Sequence, residues 1–381
     1  LLALVTTGIL TRKLGSEGYG AFTLISSLFV MLDSLADFGI KTIGIRELAN
    51  GKKIMGKIIK LKTLMTTGSW LLGLVVIWGL DSLVGIRIEA VVALTMVWLT
   101  SMLGVGEMVW QKNLKMERKT LVDIVFPLLF MAGLWVWKDS LSLMVVYGIL
   151  LGARIISLML GWRWLRNEKE FLEIEWSNGK IGDLWKEVWP MGVFLLLFAA
   201  YDRVVDSILI SHFLGIEQVA YYGLAYKIYG VLIQPAYFYV NSVFPLLSGK
   251  FNDKKEIFNK SLLILIAGML VVVVGTWIWA DWAVELLGGP GYEMAAKVLR
   301  VLILGCLFTY IGHLVGFTLI AKGGQKDLLK VGLIGLVFNL SLNWLLIPSY
   351  GIMAAAWITV ATEALDMGLM MIFLNKLNTK A

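Results

Sequence analysis

The residues of this chain best suited to chemistry are charged side chains standing inside long apolar runs. Arg154 lies in "YGILLGARIISLML", Arg203 in "FAAYDRVVDSILI" and Lys227 in "YYGLAYKIYGVLI". Lys41 follows Asp37 by four residues in "LADFGIKTIG". The acids in such runs are Asp33, Asp37, Asp202, Asp206, Glu363 and Asp366. A charge in hydrocarbon costs a few kcal/mol or more, so each needs an opposite charge or a water-filled cavity. Two readings stand side by side. The cations are structural ion-pair partners or ligands for an anion. The acids balance the buried arginines or bind a coupling proton or sodium ion, as intramembrane carboxylates do elsewhere. Asp202 and Asp206 are one helical turn apart and share a face, and Asp37 and Lys41 have the favourable order for a helical pair. Lys227 is near enough to one end of its run to snorkel.

The elements that must hold these groups follow from composition. The 381 residues are 59% hydrophobic and only 16% charged, with a mean hydropathy of +0.80; soluble domains carry roughly 25% charged residues. Apolar runs of about 20 residues, each long enough to cross a bilayer as a helix, recur from end to end. The fold class is an all-α integral membrane protein with twelve expected transmembrane helices. The first, "LLALVTTGILT", is short and reads as the back half of a helix whose start is missing; it has no basic n-region and is not a signal peptide. Most of the 34 lysines and arginines fall on alternate loops, including the run Arg46, Lys52, Lys53, Lys57, Lys60 and Lys62. By the positive-inside bias those loops and both termini are cytoplasmic. The net charge of +7 then belongs beside anionic lipid and calls for no nucleic acid.

Catalytic signatures do not emerge. Cys306 is the single cysteine, and His212 and His313 lack zinc-type spacing. No Walker loop, HExxH or CxxC motif occurs, so no metal, cofactor or covalent nucleophile is implied.

The chain repeats itself. "LGSEGYG" at 14–20 corresponds to "LGIEQVAYYG" at 214–223, each after the first helix of a set of six. The longest polar stretch lies between the sets. The expected organisation is an N-terminal lobe at 1–164 (spans 1–6), a cytoplasmic linker at 165–188 and a C-terminal lobe at 189–381 (spans 7–12). Such parallel repeats place substrate at their interface. Gly148 and Gly152 form a G-x-x-x-G that suits close helix packing, and so do Ala354, Ala355 and Ala356. Pro235 interrupts a run of about thirty residues and reads as a hinge, with Gln234 and Asn241 free to meet backbone groups or a sugar. Pro348 ends one span before the turn at Gly351. The 16 tryptophans read mainly as an interfacial belt.

Three segments carry a family resemblance. "LNWLLIPSYGIMAAAWITVATEAL" resembles the hairpin between the eleventh and twelfth spans of polysaccharide flippases. "RKLGSEGYGAFTLISSLFVMLDSLADFG" and "YDRVVDSILISHFLGIEQVAYYGLAYKI" resemble the starts of their two lobes. The family is the Wzx-type branch of the multidrug/oligosaccharidyl-lipid/polysaccharide superfamily. The resemblance implies a twelve-helix, two-lobed, V-shaped alternating-access transporter. It would move an oligosaccharide on polyprenyl pyrophosphate or phosphate from the cytoplasmic to the outer leaflet of the cell membrane. Its partners would be that lipid-linked oligosaccharide, membrane lipids, and glycosyltransferases or a polymerase of the same pathway. Under this reading Arg154, Arg203, Lys227 and Lys41 are phosphate ligands in the cavity, since the guanidinium fork matches phosphate geometry. Asp33, Asp37, Asp202, Asp206, Glu363 and Asp366 serve ion coupling or charge balance. The alternatives are a multidrug or organic-cation antiporter of the same superfamily and a polytopic glycosyltransferase or O-antigen ligase.

Overall fold

A computed structural model describes residues 2–172, 174, 181–199, 205–248 and 254–378. It is helical almost throughout. The helices are α1 (Leu2–Asp37), α2 (Ile40–Ala49), α3 (Met55–Gly79), α4 (Arg87–Lys112), α5 (Met116–Val136), α6 (Leu143–Leu165) and the single turn α7 (Lys169–Leu172). They continue with α8 (Ile181–Ala199), α9 (Val205–Leu214), α10 (Ile216–Ser248), α11 (Lys254–Gly288), α12 (Glu293–Leu302), α13 (Cys306–Ala321) and α14 (Gln325–Asn378). Among the described residues there is no strand. With no water to bond the backbone, helices satisfy every N–H and C=O within the segment.

Among the described residues, eight helical stretches are long and apolar enough to cross a membrane. Two of them, Leu2–Ala49 and Gln325–Leu377, have 48 and 53 residues. At 1.5 Å per residue each would extend roughly 70–80 Å if straight, against about 30 Å of hydrocarbon. Both are broken by a glycine: Gly15 (φ 69°, ψ −175°) in α1 and Gly351 (φ 67°, ψ −160°) in α14. Stretches and crossings therefore need not correspond one to one. Gly215, between α9 and α10, has φ 88°. The two Leu-Gly pairs of the sequence repeat thus mark the same device, a left-handed residue between two helices, which only glycine adopts without strain. Pro348 does not end its helix. The helix runs on to Tyr350, and the break falls at Gly351. Pro235 lies inside α10.

The chain forms two compact units, Leu1–Val204 and Val205–Ala381. In the first, α4 packs on α3 and α6, α5 on α6, and α1 on α3 and α4. Trp110, Met108, Ile58 and Leu61 centre its core. Polar side chains stitch the helices: Thr66 and Ser101 hydroxyls lie 2.6 Å apart, and Ser69 donates to the Leu32 carbonyl. Residues 181–199, assigned from sequence partly to the linker and partly to the second lobe, pack as α8 on α1, α2 and α3. Phe38 stacks on Trp185 at 5.5 Å, and Arg46 pairs with Glu187. The G-x-x-x-G of α6 meets no close neighbour among the described residues, where nothing lies within 4 Å of a Cβ built on Gly148 or Gly152. Close approach occurs instead at Gly133 of α5, against Ile149.

In the second unit, α13 lies along α14, α10 and α11, and α9 packs on α14 and α10. Ala355 and Ala356 are fully buried, as their small size allows. Cys306 is buried and free.

Two substitutions on α14 separate strain from space. A Cβ at Gly351 or at Gly332 meets nothing within 4 Å, but only Gly351 has positive φ. Gly351→Ala is expected to lower stability by about 1–2 kcal/mol, whereas Gly332→Ala leaves it unchanged or raises it. Thermal melting of the two purified variants checks this.

Candidate functional site

The first unit gathers charges from six helices. Asp33 and Asp37 are on α1, Lys41 on α2, Lys62 on α3, Glu107 on α4, Asp123 on α5 and Arg154 on α6. Lys41 pairs with Glu107, and Lys62 with Asp37. The expected helical pair Asp37–Lys41 does not form. Phe38 (φ 42°) and Gly39 (φ 78°) break the helix between them, so four-residue spacing no longer places the two on one face. Lys62 also departs from its sequence assignment to a cytoplasmic loop. α3 begins at Met55, and Lys62 is only 5% exposed. Glu107, unmarked by the sequence reading, is 9% exposed. A buried lysine and a buried glutamate each require the other's kind nearby, and the two pairs meet that demand.

Arg154 is held differently. Its guanidinium lies over the Phe126 ring, 3.9 Å from the centroid. Its Nε is buried and bonds no partner among the described residues. Asp33, Glu107 and Asp123 act on it electrostatically without hydrogen bonding to it. Asp33 is half-buried and lies in the field of Lys62, Asp37, Arg154 and Lys41. Asp123 pairs with Lys119 one turn before it on α5. Arginine stacked on an aromatic face keeps its N–H edge available for a bidentate anion.

The second unit holds a hydrogen-bonded network instead. Asp206 of α9 is 4% exposed. It accepts from the Tyr222 hydroxyl of α10 and from Asn343 Nδ2 of α14 at 2.8 Å. The Tyr222 and Thr359 hydroxyls are 3.0 Å apart, and Asn343 Nδ2 also lies 2.9 Å from Asn339 Oδ1. Deeper along α14, Thr309 of α13 lies 3.0 Å from the Glu363 carboxylate and 3.1 Å from the Tyr229 hydroxyl. Tyr222, Tyr226 and Tyr229 form a ring ladder that joins the two groups, with centroids 5.8 and 5.7 Å apart. Asp366 sits against Gly335, where any Cβ would strike its carboxylate. Lys227 is half-buried on α10. Sequence reading found the acids; it passed over Asn339, Asn343, Tyr222 and Thr359. An asparagine pair at i, i+4 inside an apolar run was the available signal. Asp202 and Arg203 lie outside the described residues.

This architecture is that of a polytopic helical membrane protein. The chain aligns over its whole length with an inward-facing multidrug resistance MATE family transporter of the MOP superfamily, covering 94% of that chain (TM-score 0.79, 14% identity). It covers 87% of a lipid II flippase, MurJ, in an inward closed conformation, with 98% of this chain aligned (TM-score 0.70, 13% identity). A family model described as polysaccharide biosynthesis protein matches residues 1–251, and the chain belongs to that family. A second model, MatE, matches residues 190–345. A Shigella flexneri relative named "Putative O-antigen transporter" is 24% identical over 93% of this chain and 89% of its own length. The Wzx-type branch of the MOP superfamily read from the three sequence segments is thus the right one. The fold is one shared with solved transporters, and the Shigella flexneri relative and MurJ are named as a transporter and a flippase.

The Lys41–Glu107 pair yields a direct test. Glu107→Gln leaves a lysine without its counter-charge and is expected to cost about 1–3 kcal/mol, less than the roughly 3–5 kcal/mol of a fully buried pair, because Lys41 is one-third exposed. Replacing both, as Lys41→Met with Glu107→Leu, is expected to restore most of the loss. Melting temperatures of the single and double variants check the cycle.

Proposed function

We propose that the protein is a flippase that moves a polyprenyl-(pyro)phosphate-linked oligosaccharide from the cytoplasmic to the outer leaflet of the cell membrane. It supplies cell-surface glycan synthesis and works by alternating access between its two units, with both termini cytoplasmic. The observation that carries the reading is Arg154. The interior lysines of the first unit, Lys41 and Lys62, are ion-paired with carboxylates. Arg154 instead rests on an aromatic ring with a buried Nε that has no hydrogen-bond partner among the described residues. A phosphate is the ligand that such a group matches best. The lipid tail never leaves the bilayer, while the sugar and phosphates need a wet, charged path. The names of the Shigella flexneri relative and of MurJ point to the same substrate class.

Within this reading Lys41, Lys227 and Arg203 assist the headgroup. Lys41 can do so only by exchanging Glu107 for phosphate. The Asp206 network and Glu363 take the coupling role, binding a proton or sodium ion while the empty carrier resets. Outward movement of an anion is itself favoured by about 2.3 kcal/mol per charge per 100 mV, so the reset is where coupling is needed. The antiporter reading draws on the same acids, since Asp206, Glu363 and Asp366 would suit an organic cation. Arg154 argues against it.

In vesicles carrying a labelled polyprenyl-pyrophosphate oligosaccharide, Arg154→Ala is expected to abolish flipping in a protein that still inserts and melts normally. Arg154→Lys should recover only part, because the fork is lost. Normal flipping by the alanine variant would remove the phosphate role.

A second pair of variants addresses coupling. Asp206→Asn and Glu363→Gln are expected to slow flipping and flatten its dependence on pH or sodium, with headgroup binding kept. Unchanged flipping and ion dependence would leave these acids a structural part only.

A further inference from the structure

The face of α10 that carries Lys227 continues as a polar and aromatic stripe. Gly230, Gln234, Tyr237 and Asn241 follow at steps of three and four residues, so they lie one above another on the helix. Gln234, Tyr237 and Asn241 are all exposed, and Gln234 is near the middle of the helix. Gln234 Nε2 donates to the Gly230 carbonyl at 3.4 Å, and Asn241 Nδ2 to the Tyr237 carbonyl at 3.1 Å. Among the described residues neither amide has a partner outside its own helix. An amide oxygen turned to hydrocarbon in this way loses its hydrogen bonds at a cost of a few kcal/mol. This face is therefore wet or covered by a polar ligand.

The stripe also has shape. Among the described residues nothing lies within 4 Å of a Cβ built on Gly230, which leaves a notch between Lys227 and Gln234. Tyr237 stands on the far side of Gln234, 42% exposed. Its ring is fixed edge-to-face by His313 and Phe317 of α13, with centroids 5.7 and 6.0 Å away and interplanar angles of 68° and 70°. Phe244 backs Phe317 at 5.4 Å. A partly exposed ring held by T-shaped neighbours, with amides one turn above and one turn below, matches a pyranose. The sugar's C–H face lies on the ring, and its hydroxyls meet amide oxygens and nitrogens. Acyl chains offer those amides nothing to bond, and the stripe presents no carboxylate to an organic cation.

We infer that the α10 stripe from Gly230 to Asn241, with Tyr237 at its centre, is a carbohydrate subsite that reads the glycan of the transported lipid. This rests on the flippase reading and adds a second recognition element, distinct from Arg154, that acts on sugar rather than phosphate. The test uses purified protein in nanodiscs and two kinds of ligand. One is undecaprenyl pyrophosphate without sugar. The others carry a hexose, an N-acetylhexosamine or a hexuronate. Wild type is expected to bind at least one sugar-bearing lipid more tightly than the bare one. Tyr237→Ala and Gln234→Leu are each expected to weaken that lipid by about three- to tenfold, the equivalent of one ordinary hydrogen bond, and to leave the bare lipid and the melting temperature unchanged. Tyr237→Phe keeps the ring and is expected to bind as wild type. Equal weakening of bare and sugar-bearing lipids, or no sugar preference in wild type, overturns the subsite. A wild type that binds none of the lipids, bare pyrophosphate included, removes the flippase reading itself and the subsite with it.

Discussion

A charged group surrounded by hydrocarbon costs at least a few kcal/mol unless it is paired or wetted, and both units are organised around that cost. They meet it differently. The first sets lysines against carboxylates across helices, Lys41 to Glu107 and Lys62 to Asp37. The second surrounds Asp206 with neutral donors, a tyrosine and an asparagine. Pairing fixes charge in place and leaves little net field. Hydrogen bonds from a tyrosine and an asparagine hold the carboxylate in position across α9, α10 and α14.

Arg154 gains its meaning from this contrast. Stacking on Phe126 satisfies part of the guanidinium's electrostatic need without consuming its hydrogen-bond donors. The neighbouring acids act on it through space while Glu107 is bonded to Lys41 and Asp123 to Lys119. An incoming phosphate would thus meet a positioned donor set in a region whose lysines are already neutralised. Under the proposed flippase reading, selectivity for an anion would then depend on one side chain and on whichever carboxylates yield.

Much of this was legible in the sequence, for physical reasons that can be named. Charges in apolar runs are conspicuous, and this singles out Arg154, Asp206 and Glu363. The Leu-Gly pairs at 14–15 and 214–215 were visible as a repeat, and their positive φ explains why glycine stands there. The pairings were not legible. Spacing predicts partners only along an unbroken helix, and the break at Phe38–Gly39 redirects Asp37 to Lys62 and Lys41 to Glu107. Lys62 was hidden among loop lysines because a helix can begin well before its apolar core. Gly148 and Gly152 misled in the other direction, since a small-residue motif shows that close packing is possible but not that a neighbour is there. Uncharged members such as Asn343 and Thr359 became meaningful only through what they touch.

The account turns on direct contact between Arg154 and phosphate. Solid-state NMR on protein with ¹⁵N-labelled arginine, bound to a polyprenyl pyrophosphate, measures dipolar coupling between guanidinium nitrogen and phosphorus. Arg154→Lys assigns the signal by removing it. The account predicts a contact-range ¹⁵N–³¹P coupling in wild type that disappears in Arg154→Lys while ligand remains bound. A bound headgroup whose couplings are the same in both proteins would contradict it.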